Sequence, residues 1–94
     1  MKIMAVCGSG LGSSFMLEMN IENVLKKLGV TGVEVEHTDL GSATKDMADV
    51  FIAAKDIAGG MDHLGEVIVL DNLLDNETLE VKLEDYLKSK GVMH

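Results

Sequence analysis

Three short runs built wholly of apolar residues constrain this 94-residue chain more than any other feature: Ile3-Met4-Ala5-Val6, Val50-Phe51-Ile52-Ala53 and Val67-Ile68-Val69-Leu70. A strand with one face in water alternates between apolar and polar residues. Runs that are apolar on both faces read as strands of a parallel sheet covered on each side. A fourth run, Val33-Glu34-Val35-Glu36, does alternate and is expected at an edge of the sheet. Between the first two runs Leu17, Ile21, Val24, Leu25 and Leu28 recur at helical spacing, with Lys26 and Lys27 in the last turn and Gly29 as the stop. Ser13 or Ser14 is expected to cap the start of that helix.

After the last run, Asp75 can cap a second helix. Glu77 and Glu80 fall near its positive end, Leu79, Leu83 and Leu87 form its inner stripe, and Lys88, Lys90 and Gly91 close it. The segment from Gly41 to Met47 reads as a weaker helix, and Asp56 to Asp62 as a turn or a brief helix. Strands separated by helices, joined by right-handed crossovers, make an α/β fold. The expected architecture is a small three-layer sandwich, Rossmann-like, with a four-stranded parallel sheet of order 2-1-3-4. At this length residues 1–94 are expected to form one domain.

Composition narrows the function classes. Apolar residues make up 47% of the chain, too many for a disordered segment. The formal net charge of −8 excludes the basic footprint that nucleic acid or an anionic membrane surface requires. The longest apolar runs, Ile3 to Cys7 and Val50 to Ala54, fall far short of the ~20 residues that span a bilayer, and the apolar start is too short for a signal peptide. A lone cysteine, Cys7, cannot form an internal disulfide, which fits a reducing cytosol. His37, His63 and His94 show no ligand spacing, so no metal is expected. His37, beside the edge strand, and His94, at the terminus, read as solvated, and the methionines, Met16 and Met19 among them, as gap-filling core.

In a parallel sheet of this kind the ligand sits beyond the carboxyl ends of the strands, where the strand order reverses. That points to the loop after the first strand, flanked by Lys55-Asp56 after the third. The loop reads Cys7-Gly8-Ser9-Gly10-Leu11-Gly12-Ser13-Ser14. Alternating glycines let the backbone turn several N–H groups inward into a nest for an anion. The start of a helix adds its free N–H groups and positive dipole end, and Ser9, Ser13 and Ser14 add neutral donors. An acidic protein can hold a phosphate in this way without a general positive field. The same groups favour the thiolate of Cys7, which beside a phosphate is a nucleophile for phosphoryl transfer. The plainer alternative makes Cys7 the last apolar residue of a strand and the glycines an ordinary tight turn.

The stretch Ala5-Val6-Cys7-Gly8-Ser9-Gly10-Leu11-Gly12-Ser13-Ser14 resembles the active-site motif of the enzyme IIB components of the bacterial sugar phosphotransferase system. It is most similar to the ascorbate and galactitol type, whose loop is Cys-Gly-x-Gly-x-Gly-Ser/Thr-Ser. Ala48-Asp49-Val50-Phe51-Ile52-Ala53, Ile57-Ala58-Gly59 and Asn72-Leu73-Leu74 extend the likeness along the chain. The resemblance implies a cytoplasmic phosphotransferase, with the phosphocysteine at Cys7 and the phosphate-cradling loop at Gly8, Ser9, Gly10, Leu11, Gly12, Ser13 and Ser14. It further implies a phosphohistidine donor on a IIA partner, and a sugar acceptor, L-ascorbate, held by a IIC membrane partner. No cofactor is implied.

Two other readings stay open. The low-molecular-weight tyrosine phosphatases carry an arginine six positions after their cysteine; here that position is Ser13, and the chain has no arginine. A module that binds flavin mononucleotide without catalysis is the other, although the aromatics that would hold its rings are scarce. Leu11, Phe15 and Met16, next to the loop, offer an apolar rim for a partner protein.

Overall fold

The structure, a computed structural model, describes residues 1–7, 11–72 and 75–92, and for residues 11–14 the backbone alone. Strand β1 (Lys2–Cys7) leads to helix α1 (Leu11–Leu28), strand β2 (Glu34–Asp39), a 3₁₀ turn at Lys45–Met47 and strand β3 (Val50–Ala54). A single turn of helix, α2 (Lys55–Ala58), and a 3₁₀ turn at Asp62–Leu64 precede strand β4 (Val67–Leu70) and helix α3 (Asn76–Ser89). The strands form one parallel sheet in the order β2-β1-β3-β4, the order read from the sequence.

Alternation along each strand sorts the core into two layers. Ile3, Ala5, Val50, Ile52 and Leu70 face α1 and α3, against Leu17, Ile21, Leu79, Leu83 and Leu87. Met4, Val6, Phe51 and Ala53 face the other way, onto Ala43, Met61 and Leu64. Full burial of an aliphatic side chain contributes roughly 1.5–3 kcal/mol, so the leucine stripe of α3 alone anchors that helix.

The helix ends follow the expected chemistry. Gly29 has φ +72°, and the Gly29 and Val30 N–H groups donate to Lys26 and Leu25 carbonyls at 3.1 and 3.0 Å. Gly91 repeats the device at the end of α3, with φ +75° and the Val92 N–H on the Leu87 carbonyl at 2.9 Å. At the start of α3 the Asp75 carboxylate accepts from the Thr78 N–H at 3.1 Å and the Thr78 hydroxyl at 2.8 Å. These two bonds hold the Asp75 carboxyl below its ordinary value.

The structure corrects several expectations. Helix α1 begins at Leu11, so Ser13 and Ser14 lie inside its first turn and not at the cap position expected of them. The Gly41–Met47 segment forms only the short 3₁₀ turn at Lys45–Met47.

Strand β2 runs on to Asp39 because its ladder with β1 continues to Cys7↔Asp39. His37 therefore stands within the strand and is only partly exposed, not solvated. Met16 and Met19 are about half exposed, because helical spacing that turns Leu17 and Ile21 inward turns these two outward. The wholly apolar β4 is an edge strand, and Lys82 of α3 donates to its Val69 carbonyl. A charged side chain on an open edge hinders pairing with another chain.

Candidate functional site

Cys7 ends β1, a central strand, with β2 on one side and β3 on the other. It is 8% exposed, and its carbonyl accepts from the Leu40 N–H at 2.8 Å. Asp39 lies beside it in the β1–β2 register. One step before Cys7, Val6 pairs with Ala53, so Ala54 is level with Cys7 on the other side and Lys55 follows directly. This is the point where the connections turn to opposite sides of the sheet, the place such folds use for ligands.

Gly8, Ser9 and Gly10 lie outside the described residues. Leu11, Gly12, Ser13 and Ser14 form the first turn of α1. Backbone N–H groups in a first turn lack intrahelical partners, and the helix dipole makes that end positive. The end of β1 and the start of α1 are thus separated by three residues.

Sequence reading set His37 aside, yet the structure gives it a partner. Its Nδ1 meets Oε1 of Glu18 on α1, in a pair with side-chain exposures of 33% and 18%. Phe15 meets the same imidazole edge-on, with ring centroids 5.8 Å apart. Alternation of Val35, His37 and Asp39 along β2 was the available signal, since it puts all three on the face that α1 covers. Phe15, Met16 and Met19, each about half exposed, form an apolar stripe along the first turns of α1. The side chain of Leu11, proposed for the same rim, lies outside what the structure describes.

His63 is exposed on the Asp62–Leu64 turn, which leads back to the amino end of β4, the opposite end of the sheet from Cys7. His94 lies outside the described residues, as do Leu73 and Leu74. Among the described residues no group of three or more His, Cys, Asp or Glu side chains is arranged to hold a metal, and no helix is long and apolar enough to cross a membrane.

Known proteins match this arrangement along nearly the whole chain. The solved structure of YwlE arginine phosphatase, a mutant with a phosphorylated active site serine, superposes with a TM-score of 0.59, covering 94% of this chain and 96% of that one. At 16% identity that likeness concerns the fold. In sequence, the ascorbate-specific PTS system EIIB component of Mycoplasma pneumoniae is 29% identical, over 90% of this chain and 93% of its own. Its counterpart in Shigella boydii serotype 4 is 30% identical, over 94% and 90%. The family model for the PTS system, Lactose/Cellobiose specific IIB subunit, matches residues 2–85, from the first strand into the last helix. The chain belongs to this family of IIB subunits of the phosphotransferase system.

Proposed function

We propose that Cys7 is the phosphoryl carrier of this IIB subunit, taking the group from a phosphohistidine on a IIA partner and passing it to a sugar bound by a IIC membrane partner. The observation that carries the reading is the position of the buried cysteine at the carboxyl end of a central strand, three residues from the start of α1. The loop Gly8 to Ser14 supplies the N–H groups that hold the phosphoryl oxygens. L-ascorbate is the acceptor best supported, through the names of relatives similar over nearly the whole chain.

The missing arginine separates a carrier from a hydrolase. A phosphatase steadies the transferring group with a charged fork and sets an acid–base residue near the water. Ser13 offers one neutral donor in place of that fork. Backbone N–H groups stabilise bound dianion and transition state more evenly, so the phosphocysteine persists until a partner completes the site. The likeness in fold to an arginine phosphatase makes hydrolysis the reading to exclude. Incubation with the general phosphotransferase proteins, IIA and phosphoenolpyruvate should add one iodine-labile phosphoryl group to the intact mass. Wild-type protein should leave p-nitrophenyl phosphate untouched, and Ser13→Arg should speed loss of phosphate from phosphorylated Cys7. Turnover of that ester at a phosphatase's rate would replace the carrier reading with the hydrolase one.

A further inference from the structure

A dianionic group carried by a protein of net charge −8 gains from any cation near it, and the placement of the cations here is uneven. The chain has eight lysine and arginine residues together, all of them lysine. Lys2 starts β1 and pairs with Glu34 and Glu36. Lys26 and Lys27 end α1, Lys27 on Glu80 at 2.8 Å. Lys45 stands in the turn before β3. Lys82 is held on the Val69 carbonyl, and Lys88 and Lys90 finish α3 near Glu84 and Glu66. All of these except Lys82 lie toward the amino ends of the strands. Lys55 alone directly follows the carboxyl end of a strand.

That strand is β3, hydrogen-bonded to β1. With Ala54 level with Cys7, Lys55 lies one residue beyond. Strands about 4.8 Å apart, rising about 3.3 Å per residue, put the two Cα atoms about 6 Å apart. A flexible four-carbon stem spans such a gap. Lys55 is exposed, and its side chain makes no hydrogen bond or ion pair with any described residue.

We infer that Lys55 contacts the phosphoryl group directly, its ammonium pairing with the oxygens as the group moves onto and off the Cys7 Sγ. The inference rests on Cys7 as the phosphoryl acceptor. In uptake, the thiolate supplies the electron pair of the new S–P bond, and the P–N bond to the donor imidazole breaks with its pair left on nitrogen. In release, a sugar hydroxyl oxygen attacks phosphorus and the S–P bond breaks to restore the thiolate. The hydroxyl proton passes to a base on the sugar-holding partner. Lys55 exchanges no proton in either step; it offsets charge on the phosphoryl oxygens. A mobile point charge attracts the dianion without fixing the trajectory of attacking water, as an arginine fork would.

The test uses Lys55→Gln, Lys55→Arg and, as a control for charge alone, Lys45→Gln at the other end of the sheet. Two quantities are measured: the initial rate at which phosphorylated IIA labels Cys7, and the rate ratio of alkylation of unphosphorylated Cys7 by anionic iodoacetate and neutral iodoacetamide. Lys55→Gln should slow labelling about three- to tenfold and lower the alkylation ratio about two- to threefold, as expected of one partly screened charge. Lys55→Arg should keep both within about twofold of wild type by the same argument, and Lys45→Gln should change neither. Labelling of Lys55→Gln as fast as that of Lys45→Gln would overturn the inference. An unchanged alkylation ratio would also overturn it, because slower labelling would then reflect lost contact with the donor protein. Failure of wild-type protein to be labelled at all would instead remove the assignment of Cys7, while the alkylation ratio would still report whether Lys55 charges its surroundings.

Discussion

The two ends of the sheet handle charge in opposite ways. At the amino ends several charges are paired: Lys2 with Glu36 and Glu34, its N–H on the Asp49 carboxylate at 2.7 Å, and Lys90 near Glu66. At the carboxyl ends Asp39, Lys55 and Asp71 stand near Cys7, and no ion pair links these three charged residues to another described residue. Paired surface charges contribute modestly to stability, whereas unpaired ones remain available to a ligand or partner. On the proposed function, stability belongs to one end and chemistry to the other.

The sharpest way to break that division is Cys7→Ser. Phosphoryl labelling by IIA should vanish completely while the far-UV circular dichroism spectrum stays that of wild type. A Cys7→Ser protein still labelled on a histidine would move the chemistry elsewhere in the fold. The Glu18–His37 pair tests the division from the other side, since it ties α1 to β2 toward the carboxyl end of that strand. Glu18→Ala should lower unfolding free energy by about 1 kcal/mol in denaturant titrations. A null result would mean that packing of Leu17 and Ile21 alone holds the start of the helix.

Smaller effects come from the capped and paired charges, and they have opposite pH signatures. Hydrogen bonds from Thr78 hold the Asp75 carboxyl below the ordinary 3.8. Its contribution is therefore present above that value and is lost as pH falls through the lower folded one. Asn caps helices as well as Asp, so Asp75→Asn should match wild type in melting temperature under strong acid and fall slightly below it near neutrality. The smallest effect belongs to Lys2. Its hydrogen bond to Glu36, aided by the attraction of Glu36 and Glu34, raises its ammonium above the ordinary 10.5. That contribution is present below 10.5 and disappears as pH rises through the folded value. Lys2→Gln should melt slightly below wild type near neutrality, the gap closing in strong alkali, and should leave phosphoryl transfer unchanged.

Short-range pattern was enough for much of this molecule. Doubly apolar runs announced a covered parallel sheet. Leu79, Leu83 and Leu87 announced the buried face of α3, and Gly29 and Gly91 the helix ends, because each depends on residues within a turn or two of one another. The Cys7 motif could be proposed as a site from sequence for the same reason: cysteine, glycines and helix start are consecutive. What distant segments bring together was not legible. Glu36-His37-Thr38-Asp39 has no apolar alternation, so only pairing with β1 made it strand and only α1 supplied Glu18 to His37. Whether Met16 and Met19 were core or surface depended on which side of α1 met the sheet. The isolation of Lys55 depended on where every other lysine came to rest, since the end of the sheet at which a charge emerges is a property of the folded layers and not of its neighbours in sequence.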